Sequence, residues 1–246
     1  MLAIMLLVIV WEGVYRIGFW PPFLLPSPYQ VGQTLWYGIA DFSLVIAVVA
    51  SFQRLLIGYV LAVVLGTILG VALAKVRWLD QTIGFLTLGL QTVPSIVWLP
   101  LALLWFGLND KAVIFVVVIG ALWTMVISVK SAIQGVSPLL IRVARTLSYS
   151  NIRLFFKVIL PAGLPGIITG LRLAWAFAWR SLMAGELLGS GAGLGQVLIT
   201  GRNLGDMSLV IAVMLIVGVL GSVIDLLLFQ QLESGVLEKW GHAKQG

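Results

Sequence analysis

The sequence predicts an all-α integral membrane protein, a single domain over residues 1–246 with about six transmembrane helices. Three observations lead there. Of the 246 residues, 61% are hydrophobic and only 10% charged, whereas soluble domains carry about 25% charged residues. With a mean hydropathy of +1.11, this inventory cannot build a water-facing surface, so lipid must be the solvent. The apolar residues come in runs that supply roughly 20 residues per span. Lys and Arg gather at one set of run boundaries, as the positive-inside rule requires. Cysteine is absent and the single histidine, His242, lies in the polar tail. Disulfide frameworks, thiolate metal sites and His-based triads are thereby excluded, and no metal centre is expected. The net charge of +6 is loop charge that sets orientation, not a surface for nucleic acid.

The first run, Met1 to about Val14, ends in WEGVYRIGFWPP. It lacks the basic n-region and small-residue cleavage site of a signal peptide and reads as a short first span, trimmed at its start. PPFLLPSP, residues 21–28, is a stiff extended segment, because each proline blocks helix for itself and its predecessor. Tyr29 to Asp41 suits a short interfacial helix. A second span lies within Ser43 to Ala74, longer than a bilayer needs, so part of it protrudes or tilts. Its Gly66 and Gly70 form a small-xxx-small pair suited to close helix contact. A third span lies within Thr82 to Gly107, broken by Pro94 and Pro100, and a fourth covers Ala112 to Ala132. The fifth, Gly166 to Leu188, leads into GSGAGLG, expected to be a flexible turn, and the sixth covers Ser208 to Leu232.

Lys75, Arg77, Arg142, Arg145, Arg153, Lys157, Lys239 and Lys244 fall on one side of this arrangement; Arg16, Lys111 and Arg202 fall on the other. The basic side is expected to be cytoplasmic, with both termini inside.

Between spans four and five runs RVARTLSYSNIRLFFKVILP, residues 142–161, which holds four basic residues and no acid. Its charge alone says only that the loop is cytoplasmic. Its pattern says more. Ser137-Pro138 has the form of an N-cap followed by a first-turn proline. Leu139, Val143, Leu147, Ile152, Phe155 and Phe156 recur at roughly helical spacing. An amphipathic helix in such a loop rests either on lipid headgroups or in a groove of a partner protein.

The stretch from Arg142 into AGLPGIITGLRLAWAF resembles the cytoplasmic loop of the permease subunits of binding-protein-dependent ABC importers. That loop reads Glu-Ala-Ala, three residues, Gly, nine residues, Ile, one residue, Leu-Pro. Here the first three fall on Arg142, Val143 and Ala144, followed by Arg145; the glycine falls on Ser148, the isoleucine on Val158, and Leu-Pro on Leu160 and Pro161. LLPSP, SFQRLLIGYVLAVVLGTILG, VPSIVWLPLALLWFG and AGELLGSGAGLG are similar to the nitrate, sulfonate, taurine and bicarbonate branch. The resemblance covers nearly the whole chain.

It implies the type I importer permease fold and a coupling helix within about 137–161 that docks on an ATPase subunit. It also implies a homodimer or a pair of permeases, two cytoplasmic ATPase subunits that bind ATP and Mg²⁺, and an extracytoplasmic binding protein. Two departures stand out: Arg142 in place of the glutamate and Ser148 in place of the glycine. The reversed charge implies either a matching change on the ATPase, a lost contact, or a helix facing anionic lipid.

Within the membrane, ionisable residues are costly and mark function by default. Arg172 and Asp225 share a depth and read as a structural ion pair; Glu186 and Arg54 lie near the outer ends of their spans and are placed along the pathway, with pairing as the alternative. Arg180, near the middle of span five, meets no acid at its depth, where related permeases carry an aliphatic residue. It offers a fork of donors for a carboxylate, sulfonate or nitrate, or else is satisfied by backbone carbonyls or a partner. Pro94 and Pro100, with Gln91, Thr92 and Ser95, suit either a wet pathway lining or a packing kink. Trp98, Trp105, Trp175 and Trp179 are either gate aromatics or packing.

Lys130-Ser131 follows Val129 where a Walker A loop needs glycine, so nothing in the chain cradles ATP and no catalytic residue is expected. The chain is expected to be a bacterial inner-membrane permease for a small anion of the sulfonate, taurine, nitrate or bicarbonate class. One rival is the same scaffold carrying a vitamin or pyrimidine precursor. Another is an ATPase-independent secondary transporter, whose inverted repeats are not visible here.

Overall fold

In this computed structural model the chain is described over residues 2–189, 191–232 and 235, and every regular element among them is helical. Lys239, His242 and Lys244 lie outside the described residues. α1 (Leu2–Ile17) is tied to the proline-rich segment by Trp11 Nε1, which donates to Pro26 O at 3.1 Å. α2 (Pro28–Ala40) starts with a reciprocal capping box: Gln30 N donates to Ser27 Oγ at 3.2 Å, and Ser27 N donates to Gln30 Oε1 at 2.9 Å. Tyr29, Trp36 and Tyr37 are exposed on this short helix. The turn into the next element holds Asp41, whose carboxyl accepts from Ser43 N and is thereby kept below its ordinary pKa.

α3 (Ser43–Lys75) has 33 residues, about 50 Å at 1.5 Å per residue, so it outruns a hydrocarbon core of about 30 Å. α4 (Arg77–Thr92) ends before Pro94, a 3₁₀ turn covers Ser95–Trp98, and α5 (Leu99–Phe106) leaves at 99° to α4. Pro94, which cannot donate to the helical ladder, marks the break; Pro100 sits in the first turn of α5, where a missing N–H costs nothing. The expected third span is therefore a bent pair of helices.

α6 (Asp110–Gln134) is the central helix. Over half of its most apolar window is buried (56%), against 11% for the last span. It packs along α3 and α9 (Leu160–Leu188). Gly66 and Gly70 sit on the α3–α6 seam as their spacing predicts: a Cβ on Gly66 would lie 2.7 Å from Met125 Cβ, and one on Gly70 2.8 Å from Val126 O. The aromatic part of the core joins Tyr59, Trp175, Trp179 and Phe229, with Trp175 and Trp179 stacked at 6.4 Å. Those two tryptophans are core packing.

After α6 come α7 (Pro138–Thr146), α8 (Asn151–Leu154) and a π-helical turn over Phe155–Ile159 that leads into α9. α8, the π turn and α9 form one run of 38 residues. The turn widens the ladder just before Pro161, whose ring would clash with the carbonyl of Lys157 in a regular helix. Two expectations change here. The helical spacing from Leu139 to Phe156 is carried by a short α7 and by the start of the fifth span, which begins before the expected Gly166. Leu160 and Pro161 lie inside that span.

The GSGAGLG segment leads into α10 (Leu194–Leu204), an element the sequence reading left out, and α11 (Met207–Ile224) continues through a second π turn over Asp225–Phe229.

Among the described residues four helices are long and apolar enough to cross a membrane, or five if the bent pair counts as one span. α1, with 16 residues, reaches about 24 Å and falls short of the six-span expectation.

Candidate functional site

Three groups of polar residues stand out in this apolar frame. The first joins α3, α6, α9 and α10. Glu186 (1% exposed) and Arg54 (5% exposed) form an ion pair, Nη1 to Oε1, at 2.7 Å. Ser51 Oγ lies 2.8 and 2.7 Å from the two carboxylate oxygens of Glu186 and accepts from Leu194 N at 2.8 Å. Gly195 N donates to Glu186 Oε2 at 2.9 Å, and Arg54 Nε donates to Asp110 Oδ1 at 2.8 Å. Both oxygens of the buried acid therefore have a donor or a cation beside them, the condition under which a buried charge is tolerated.

Arg54 and Glu186 are thus enclosed by the fold. The GSGAGLG segment, expected to be flexible, is fastened through its backbone to Glu186 and Ser51. A Cβ at Gly193 would meet Arg54 Nη1 at 2.7 Å, and one at Gly195 would meet Glu186 Cβ at 2.5 Å, so glycine lets the loop approach the pair. The sequence reading missed Ser51 and Asp110. Ser51 stands three residues before Arg54, one turn away on the same face, a spacing that marked it as a candidate partner.

The second group surrounds a cavity of about 70 Å³ at mid-depth, lined by Gln91, Ser95, Gly120, Trp123, Thr124 and Phe177 among others. Gly120 and Thr124 fall near the middle of α6. Gln91 Nε2 reaches Thr124 Oγ1 at 3.4 Å, the weak end of hydrogen bonding. Ser181 Oγ donates to Ser95 Oγ at 2.8 Å; a Cβ on Gly120 would lie 1.9 Å from Ser181 Oγ. The indole N–H of Trp123 is buried and without a partner.

Arg180 is exposed on α9, its guanidinium 5.3 Å above the ring of Phe177, a residue that lines this cavity, with no carboxylate partner among the described residues. Gln91 and Ser95 are brought together here. Thr92 is not: it is exposed and its hydroxyl donates to Gly89 O at 2.7 Å. Trp123 and Thr124 carried no signal in the sequence, being single residues in an apolar run. Trp105 is exposed beside Phe106 and Phe115.

Arg172 and Asp225 form a two-pronged pair, Nε to Oδ1 at 2.7 Å and Nη2 to Oδ2 at 2.6 Å, the strong planar geometry of guanidinium and carboxylate. It joins α9 to the start of the last π turn.

The third group is α7. Leu139 N donates to Ser137 Oγ at 3.3 Å and Pro138 occupies the first turn, as the sequence predicts. The helix stops in a Schellman motif: Ser148 N donates to Arg145 O at 3.0 Å and Tyr149 N to Ala144 O at 3.2 Å. Ser148 itself is left-handed, at φ +59°, the conformation for which glycine is the usual residue. Ala144 is buried; Arg142, Val143 and Arg145 are exposed, together with Leu139 (62%) and Leu147 (67%). Behind α7, Lys75 Nζ sits 3.5 Å above the ring of Phe155, tying the end of α3 to the π turn. α7 therefore presents leucines and two guanidinium groups that nothing described in the chain covers.

Among the described residues no group of three or more His, Cys, Asp or Glu side chains is placed to hold a metal ion.

Comparison with known proteins adds a lineage to this geometry. The family described as the binding-protein-dependent transport system inner membrane component matches residues 62–231. The nitrate import permease protein NrtB of Leptolyngbya laminosa is 34% identical over 209 residues, which cover 81% of this chain and 75% of that protein. A protein named as the aliphatic sulfonates transport permease SsuC of Bacillus subtilis is 30% identical over 244 residues, 98% of this chain and 86% of that one. Among solved structures, an inward-facing conformation of the MetNI methionine ABC transporter superposes with a TM-score of 0.70 over 80% of this chain and 97% of that one, at 21% identity, a likeness of fold.

Proposed function

We propose a transport function on the premise that the chain belongs to the family of binding-protein-dependent transport system inner membrane components. It is a permease subunit of an ABC importer. In the finer reading, two permeases, identical or paired, form an alternating-access pathway in the cytoplasmic membrane for a small anion delivered by an extracytoplasmic binding protein. The end that carries Lys75, Arg77 and α7 faces the cytoplasm, where two ATPase subunits bind ATP and Mg²⁺. Closure of the ATPases moves α7, which is the coupling helix, and the rigid run from Asn151 to Leu188 carries that motion into the membrane.

The observation that carries this reading is the family match over residues 62–231, within which α7 exposes apolar and basic side chains without a partner among the described residues. The anion reading is supported by Arg180, a mid-span guanidinium with no carboxylate beside it, and by relatives named for nitrate and sulfonates.

Two measurements test it. Purification of this chain under mild conditions is expected to bring down an ATPase, and uptake is expected to need that ATPase and a binding protein; sodium- or proton-driven uptake by this chain alone overturns the reading. Arg180→Leu is expected to cut anion uptake by at least about tenfold, from the loss of one charge-assisted contact, with assembly intact. Uptake at the wild-type rate removes Arg180 from the pathway.

A further inference from the structure

We infer that the mid-depth cavity is a site for a compact oxyanion, held by neutral donors from α4, α6 and the 95–98 turn, with the Arg180 charge over its Phe177 wall. The inference rests on the proposed transport of a small anion and adds a place, a set of donors and a size limit.

The size comes first. At about 70 Å³ the cavity is far below the roughly 300–1,000 Å³ of clefts that enclose drug-sized ligands. It suits nitrate, bicarbonate or the headgroup of a sulfonate and not a heterocyclic vitamin or pyrimidine precursor.

The chemistry points the same way. No carboxylate lines the cavity. The lining instead holds donors that are underused. The Gln91 amide is engaged only by its 3.4 Å contact to Thr124, so an anion can take that proton at little loss. Thr124 accepts that contact and keeps its own hydroxyl proton to give. Ser95 accepts from Ser181, behind the lining, at 2.8 Å, and its own hydroxyl proton can rotate toward a new acceptor.

Arg180 supplies the sign. Its guanidinium is parked over Phe177, a wall of the cavity, and Ser181 is its neighbour in the chain. A cation is disfavoured near such a charge, while an anion is attracted by it. Neutral donors inside and the full charge outside let the ion bind without being trapped, which conduction requires.

The test uses the whole importer, with its ATPases and binding protein, in proteoliposomes, and isotopically labelled nitrate, bicarbonate and methanesulfonate as probes. Thr124→Val keeps the shape and removes only the hydroxyl; Gln91→Leu removes the amide at similar size. Each is expected to lower uptake of the transported anion by about tenfold or more, as for a lost hydrogen bond to a charged group, while ATPase activity stimulated by the binding protein stays within about twofold. Wild-type uptake by both variants overturns the site and leaves the anion permease standing. Uptake that falls only in step with ATPase activity also overturns it, because the two residues are then structural. A wild-type importer that moves a neutral solute and none of the three anions overturns the site and the anion reading together.

Discussion

At the start of α3, Arg54 is enclosed by Glu186, Asp110 and the 193–195 backbone. Beyond the other end of the same helix, Arg142 and Arg145 stand on α7 with no carboxylate within reach among the described residues. The same residue type serves opposite ends. Arg54 has its partners inside the chain, on segments more than fifty residues away in sequence, so it holds four helices and a loop in one arrangement. Arg142 and Arg145 have none among the described residues, and in the proposed reading theirs lie on the ATPase. A charge satisfied within the fold is architecture, and a charge left open beside exposed leucines is an interface. Arg180 belongs with the second kind, but it sits over Phe177, a wall of the cavity.

The largest effect is expected where the comparison is sharpest. Glu186→Ala strips the acid from a buried pair and leaves Arg54 without its inner partner, a change that costs about 3–5 kcal/mol. Thermal unfolding in detergent is the measurement. The expected result is a large loss of folded protein, partly restored in the double variant Arg54→Met with Glu186→Leu, because an apolar pair avoids the desolvation of two charges. A double variant whose loss equals the sum of the losses from changing Glu186 and Arg54 singly would show that the two residues act independently.

An effect of the second rank is expected at α7. Arg142→Glu alters an exposed residue, so stability is expected to move by no more than about 0.5 kcal/mol. Coupled ATPase activity of the assembled importer is expected to fall by about tenfold, which corresponds to about 1.4 kcal/mol of lost docking energy, since a charge set against its like costs heavily at an interface. Unchanged coupling would place Arg142 outside the contact. A rise would mean that the ATPase keeps the surface suited to the family's glutamate.

Most of the helices were legible because hydrophobic run length is a local signal, and the Ser137-Pro138 start of α7 was legible because capping chemistry spans only a few residues. Depth along the spans also brought Arg172 beside Asp225 and Arg54 beside Glu186. What the sequence hid was long-range or conformational. The fastening of GSGAGLG depends on a serine over 130 residues away and on bare backbone N–H groups, which leave no trace in side-chain composition. The cavity depends on Trp123 and Thr124, ordinary members of an apolar helix until α4 breaks opposite them. The end of α7 was hidden for a third reason. Apolar spacing runs on from Leu147 through Ile152 to Phe156, and the residue that stops the helix is a serine where a glycine would have announced it.

That serine carries the smallest prediction. Ser148 holds φ +59°, a conformation that costs a residue with a side chain about 1–2 kcal/mol and glycine nearly nothing. Ser148→Gly removes that cost but gives back about 0.4–1 kcal/mol through the freer unfolded chain, so a net gain of roughly 0.5–1 kcal/mol is expected. At 1.4 kcal/mol per factor of ten, hydrogen exchange at the Ser148 position and Tyr149 amides, which close the Schellman motif, is expected to slow by about two- to fivefold. Ser148→Val is expected to do the reverse, since a β-branched residue is a genuine outlier at positive φ. Faster exchange in the glycine variant would mean that the serine holds the turn through its hydroxyl, and that the departure from glycine stabilises α7 instead of straining it.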